Sequence, residues 1–359
     1  MGVLQARAGR VAASRRRTVG AVHATATAAD SVPVSAAVVG VFTAGGGGGA
    51  FNAVPPSVLA TIPGGSPTYT GTTSLDAALT GMAANSWLVL NYNTPRVENV
   101  SVSLASGVTV IAGPGFKPWI DGSFQINGGA EGARIFGLNV KWSAPDVNAH
   151  MIYLDSGSPE WAYSECTMIG NTDGCFALMR PGQSIHDWRV HHTWLHDNPG
   201  VTPGIGTHNA STDHCIYTDA TVAPQPQNGR IDHCLIEGAP RGRNIKIGGP
   251  SGGNPIDGIS VDHCTLKTGY GPSNGQVSNG ATNTTWDHLI LIDSGATTSL
   301  TDGTGSSTGN TYTVCRSDRV CGDNTVNFAN AGGCTDNIAA ATLGQYATQG
   351  AAGYGHLAP

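Results

Sequence analysis

At 359 residues the chain is long enough for one large solenoid or two ordinary domains. It is 40% hydrophobic and only 12% charged, which excludes an intrinsically disordered chain, and its net charge of −6 argues against nucleic acid as a partner of its body. No apolar run approaches the roughly 18 residues that a membrane span needs.

The first 29 residues hold no acid, and Arg7, Arg10, Arg15, Arg16 and Arg17 make them basic. An export signal would place an apolar stretch after the arginines. Thr18–Ala29 has a twin-arginine approach and Ala-x-Ala steps but no Leu, Ile or Phe. The competing reading is a basic, extended arm that docks on a larger assembly. Val32, Val34, Ala36 and Val38 alternate, which suits a strand added to a neighbour. Gly45–Gly49 then reads as a hinge that closes an arm of residues 1–50. Pro55, Pro56, Pro63 and Pro67 mark 51–71 as a linker.

Leu75, Ala78, Leu79 and Met82 fall at helical spacing, and the strand pattern Trp87–Leu90 follows at once. A short helix before a strand is a device for closing the open end of a solenoid, whose first rung would otherwise expose backbone and core.

From there one pattern recurs: two apolar positions, a two-residue bend, two more apolar positions. Ile135, Leu138 and Val140 fit it, as do Tyr163, Cys166 and Met168, then Val190 and Leu195, then Ile231, Cys234 and Ile236. Val261, Cys264 and Leu266 follow, then Trp286, Leu289 and Leu291. Taking Gly137, Glu165, His192, His233, His263 and His288 as bend markers gives spacings of 28, 27, 41, 30 and 25. Periods of this size signal a repeat architecture, and strand-length runs between Gly and Asn turns make it a β-solenoid. A second column runs through His150–Asp155, Cys175–Leu178, His214–Asp219 and Asn244–Ile247. The expected fold is all-β, a right-handed parallel β-helix over 72–335, with an Ala- and Gly-rich tail at 336–359.

Gly107–Gly128, reading GVTVIAGPGFKPWIDGSFQING, resembles the opening rungs of the pectate-lyase-like superfamily, and the resemblance covers roughly 72–335. It implies the β-helix; for function it is loose, because that superfamily holds lyases, hydrolases, epimerases and phage tailspikes. Asn171–Gly174 resembles the first motif of polygalacturonase-type hydrolases and Arg243–Lys246 resembles their last. The intervening Asp-Asp and Gly-His-Gly are missing, so Asp173 lacks the second carboxylate that a glycosidase requires.

The pairs Asp232-His233, Asp262-His263 and Asp287-His288, with His191-His192 in register, admit a metal or acid–base reading. Their place at the bend favours a structural ladder of stacked polar side chains, so no metal site is expected there. The absence of any CxxC pair argues against zinc. Cys166, Cys234 and Cys264 read as buried core residues, and Cys315 with Cys321 as the expected disulfide.

If the chain is an enzyme, the catalytic candidates are Lys246, Arg243 and Arg241. The superfamily's lyases use Lys or Arg to remove a proton next to a carboxylate and to hold the resulting charge. Alternation puts Lys246 and Asn244 on the outer face and Ile245 and Ile247 inside. The expected ligand-binding residues are Asp155, Asp219, His214, Trp188 and Trp194. Asp155 and Asp219 end equivalent strands and could hold Ca²⁺ through oxygen; otherwise no cofactor is expected. Trp142, Trp161, Trp188 and Trp194 read either as outward platforms for sugar rings or as packing under long loops.

Two functional classes follow. The first is a phage virion minor tail protein, tailspike-like and expected to be a homotrimer. It would join other tail proteins through residues 1–50 and bind host cell-envelope polysaccharide. The second is a secreted bacterial lyase acting on a uronic-acid-containing polysaccharide. A cell-surface carbohydrate-binding module without catalysis is a third.

Overall fold

The computed structural model describes residues 51–143, 150–169, 175–182, 184–198, 214–218, 226–239, 242–248, 256–269, 273–278, 280–292, 298–302, 309–317, 320–321, 334–335, 338 and 355–356. These form a right-handed parallel β-helix of three sheets, taken in order by every rung. Sheet A has ten strands, from Thr68–Tyr69 to Thr311–Thr313. Sheet B has ten, from Arg96–Val97 to Cys334–Thr335, and sheet C nine, from Val100–Leu104 to Val320–Cys321. All pairings are parallel, so each strand is held by the rung before and the rung after it.

The core is a continuous column of Val, Ile, Leu, Phe and Trp side chains inside the coil. Cys166, Cys234 and Cys264 lie fully buried within it, as expected. Cys315 is a buried free thiol, so the expected bridge to Cys321 is not formed. Register places Cys315 beside Cys334 instead, because a parallel coil brings whole rungs together rather than residues six apart in sequence.

The corner between sheets A and B is the tightest. It turns through Gly137, Tyr163, His192, His233, His263, His288 and Val314, all at φ between 47° and 74°. This left-handed conformation costs a non-glycine residue roughly 1–2 kcal/mol. It recurs because it swings the chain through the corner in two residues. The marker of the second rung is thus Tyr163, not Glu165, since Glu160 pairs with Arg134 and Trp161 with Ile135. A shift of two residues preserves which face is buried, so the burial pattern alone could not reveal it.

The ends of the sheets differ. The helix Leu75–Leu79 buries both leucines, and Ser74 caps it by accepting the Ala77 N–H at 3.2 Å. Asp76 accepts the Ser101 N–H at 2.8 Å, so the helix closes sheet C as expected, though it is one turn shorter than the pattern suggested. The Pro-rich segment does not behave as a free linker. Val54, Val58, Leu59 and Ile62 pack on the outward Val89, Ile111, Phe136 and Ala162 of sheet A, and Thr68–Tyr69 becomes its first strand. Beyond Ala162 this outward column turns polar (His191, Asp232, Asp262, Asp287), where the apolar cover ends.

Candidate functional site

On the outer face of sheet A the Asp-His pairs form the expected structural ladder. The rings of His192, His233, His263 and His288 stack at centroid distances of 4.9, 5.1 and 4.8 Å, within 11° of parallel. Each imidazole from His233 onward meets the aspartate before it through Nδ1, at 2.9, 2.9 and 2.8 Å. Arg189 donates a two-pronged contact to Asp232 at 2.7 and 2.6 Å, and Arg230 does the same to Asp262 at 2.9 Å twice. Ligand atoms of Asp232, His233 and Asp262 lie within 4.8 Å of one another. Both carboxylates are already neutralised by guanidinium forks, so the cluster is accounted for as structure.

Sheet C carries a different outward column. Register aligns Gln125, Tyr153, Arg180, Tyr217, Lys246 and Gln276 on successive rungs, all half-buried except Tyr217, which is buried. The Arg180 guanidinium lies over the Tyr153 ring at 5.3 Å and the Lys246 amine over the Tyr217 ring at 4.8 Å. Aromatic ring and cation alternate, each rung adding about 4.8 Å along the coil. Arg180 also donates to His150 Nε2 at 2.7 Å; burial, reinforced by this cation, pushes the His150 pKa down to about 3 and keeps the ring neutral. Phe176 bridges the two halves, with its ring 5.1 Å from His150 and 5.3 Å from Tyr217.

The sequence candidates meet this column in part. Lys246 is half-buried on the outer face between buried Ile245 and Ile247, as alternation requires. Asn244 does not share that face. It is fully buried at the corner, donating to Asn274 Oδ1 at 3.0 Å and to the Lys267 carbonyl at 2.9 Å. Arg243 is buried too, which pushes its pKa down to about 10, and its Nε has no partner among the described residues. Its backbone N–H donates to His214 Nδ1 at 2.9 Å. His214 is fully buried, so it supports Tyr217, 5.0 Å away ring to ring, rather than facing solvent. Asp155 is half-buried at the end of its strand. Arg241, Asp219, and the Asn171–Gly174 motif with Asp173 lie outside the described residues.

The tryptophans divide. Trp142, Trp161 and Trp188 are buried, which corrects the outward reading for all three. Trp188 is admitted because Gly229 stands opposite it in the next rung; a Cβ there would lie 2.0 Å from the indole. Trp194 alone of the four is half-exposed, on sheet B, stacked on His196 at 4.0 Å and donating to Glu237 at 3.0 Å. His196 contacts Asp197 at 2.6 Å and Glu165 at 3.3 Å. Burial alone would lower its pKa, but the two carboxylates outweigh it and raise it to about 9.

Residues that sequence reasoning missed are Tyr153, Arg180 and Tyr217. The signal was present: they occupy the same outward position in three successive strands as Lys246 in the fourth. Compared with protein-family models, with characterised proteins and with solved structures, the chain matches none.

Proposed function

We propose that the protein binds an elongated polysaccharide along the outer face of sheet C, as a phage minor tail, tailspike-like protein that recognises host cell-envelope glycan. The observation that carries the glycan reading is the alternation of tyrosine and cation on consecutive rungs, Tyr153, Arg180, Tyr217 and Lys246. The half-buried Tyr153 ring offers a face for the C–H face of a sugar, Tyr217, only 6% exposed, supports Lys246, and the cations and amides suit sugar oxygens. A straight, regularly spaced column suits a repeating polymer better than a compact ligand. The tail setting rests on the basic arm of residues 1–50 and on the incomplete hydrolase motifs. Titration calorimetry with host-envelope polysaccharide tests the reading. Arg180→Ala and Lys246→Ala should each weaken binding about tenfold with an unchanged unfolding midpoint; binding unaffected by both substitutions would sink it.

A second reading is a polysaccharide lyase, favoured by Lys246 on the outer face over the Tyr217 ring, which is backed by buried His214. A neutral Lys246 would take the proton from the carbon next to a uronate carboxylate, and a neighbouring cation would hold the developing charge. The glycosidic C–O bond β to the carboxylate would break as the departing oxygen takes a proton from water. Lyase cleavage leaves a conjugated double bond in the product. Ultraviolet absorbance that grows with time on a uronate polymer, and is lost in Lys246→Ala, would establish it.

A further inference from the structure

The coil begins with a looser turn than it later keeps. In the first rung the chain passes from sheet A to sheet B through residues 91–95, between the strands Trp87–Leu90 and Arg96–Val97. From the rung of Gly137 to that of His288 two residues suffice. The slack leaves a pocket of about 450 Å³, lined by Tyr92 and Arg96 and by the exposed Thr70 and Thr94. Gly71 completes the wall at φ +77°; a Cβ there would stand 3.3 Å from Tyr92 and 3.5 Å from Arg96, so glycine lets the chain pass close to both.

Two donors at this pocket have no acceptor. Tyr92 is only 5% exposed, yet its hydroxyl has no partner among the described residues. Burial pushes its pKa up, and Tyr69, 5.6 Å away ring to ring, adds to the shift, so the hydroxyl keeps its proton and stands as a donor. Arg96 donates through Nη1 to the Gly71 carbonyl and through Nη2 to the Thr73 carbonyl at 2.7 Å, while its buried Nε–H has no partner among the described residues. Glu98, the acid nearest to Arg96 in sequence, is engaged elsewhere. It faces the helix Leu75–Leu79, accepting the Leu75 and Asp76 N–H at 2.9 and 3.0 Å and the Ser74 hydroxyl. A guanidinium and a hydroxyl left with unmet donors cost the fold free energy that a bound acceptor restores.

We propose that this pocket binds a small monocarboxylate, one carboxylate oxygen accepting from Arg96 Nε and the other from the Tyr92 hydroxyl. One guanidinium charge and two unmet donors match a monoanion with two acceptor oxygens. A phosphate carries further charge, and among the described residues no lysine or second arginine lines the pocket to meet it. The Thr70 and Thr94 hydroxyls suit a ligand that bears hydroxyls of its own, and the volume falls in the range of small-molecule sites, roughly 300–1,000 Å³. Arg96 is half-buried, and a rotation of its long side chain opens the way to both donors; such rotamer changes are common on binding. The site lies at the turn from sheet A to sheet B, off the outer face of sheet C, so it stands or falls independently of the glycan reading.

Titration calorimetry of the full chain with gluconate, a hydroxy monocarboxylate, tests it, with the neutral polyol sorbitol and inorganic phosphate as comparators. Gluconate should bind saturably at one site, about tenfold or more tighter than either comparator. Tyr92→Phe deletes only a hydroxyl without a partner, so it should weaken gluconate binding about tenfold and leave the unfolding midpoint no lower. Should that midpoint fall, Arg96→Lys, which keeps the charge but not the Nε–H, must show the loss instead. An unaltered chain that takes up no gluconate overturns the proposal, as does binding undiminished in both variants. Sorbitol or phosphate bound as tightly as gluconate overturns the carboxylate preference and the proposal with it. Gluconate binding that survives Tyr92→Phe but is lost in Lys246→Ala belongs to sheet C and overturns it too.

Discussion

Replacing Asp232 with Ala removes the carboxylate on which the outer face of sheet A converges. Asp232 is fully buried and holds three partners: the Arg189 fork at 2.7 and 2.6 Å, His233 Nδ1 at 2.9 Å, and Arg230 Nε at 3.4 Å. Breaking a buried pair from one side costs about 3–5 kcal/mol, because the partner's charge stays behind. The Arg189 side chain is 37% exposed and can turn to water, so the low end, about 3 kcal/mol, is expected. Asp287→Ala is the control: its carboxylate is 29% exposed, it meets His288 and Thr313 but no guanidinium fork among the described residues, and its loss should cost under about 1 kcal/mol. Guanidinium unfolding followed by the fluorescence of buried Trp161, Trp188 and Trp286 measures both. The pH dependence adds a second check. Burial would raise the Asp232 pKa, but Arg189 and His233 outweigh it and hold the carboxyl well below the usual carboxylate range. A folded-state value below the unfolded one stabilises the fold fully above about pH 4, and that stabilisation is lost as pH falls through the folded-state value. The gap between the native chain and Asp232→Ala should therefore be constant from pH 7 to about pH 5 and shrink below about pH 4. Equal losses for Asp232→Ala and Asp287→Ala, or a gap that widens in acid, would refute the reasoning.

Three further outcomes follow from packing and charge. Trp188→Ala should lower stability by about 3–5 kcal/mol, because the indole is fully buried. Trp194→Ala, at a half-exposed ring, should cost less than half as much in the same denaturation assay. Gly137→Val should destabilise by at least about 2 kcal/mol. Its φ is +74°, and a Cβ there would lie 2.6 Å from Val54 and 2.7 Å from Ala112, so calorimetry should show a lowered Tm that Val54→Ala only partly restores. His196 has its pKa raised to about 9 by Asp197 and Glu165, so its contribution is complete below about pH 6.5 and is lost as pH rises through about 9. Stability should fall between pH 7 and pH 9 in the native chain and stay flat in His196→Gln, with the imidazole titration followed directly by NMR.

Much of the fold was legible because a parallel coil writes the same instruction on every rung. The spacing from His192 to His233 to His263 to His288 is that of the corner itself, and the structure keeps all four in one stacked column. What escaped the sequence has a common cause: burial in a coil is decided by the next rung, not by the strand's own alternation. Trp188 is interior because Gly229 leaves room for it, and Asn244 is interior because Asn274 and the Lys267 carbonyl satisfy its amide. Tyr153, Arg180 and Tyr217 escaped for the complementary reason. Each is unremarkable on its own strand, and only the register that sets them beside Lys246 makes them a column.

The three corners of each rung are not equal, and that asymmetry places the variable chemistry. From the rung of Gly137 to that of His288 the corner between sheets A and B is two residues around one left-handed position, so an insertion in those rungs must break the hydrogen-bond ladder or bulge out of it. The connections that flank sheet C vary freely: His196 to His214 encloses residues 197–213, Thr218 to Arg230 encloses 219–229, and Ile247 to Ser260 encloses 248–259. Lengthening a connection costs little in closure entropy, about 0.6 kcal/mol for each doubling. A Gly-Ser insertion within 219–225 should therefore shift stability by less than about 0.5 kcal/mol. The same insertion after His263 displaces the His263 ring from the stack and the His263 N–H from the Asp287 carbonyl, 3.1 Å away, and should cost several times more. Denaturation midpoints of the two variants decide it. If both insertions are tolerated alike, the left-handed corner is not what holds the rungs in register; if only the first is, sheet C is the face on which loops can be exchanged without endangering the coil beneath them.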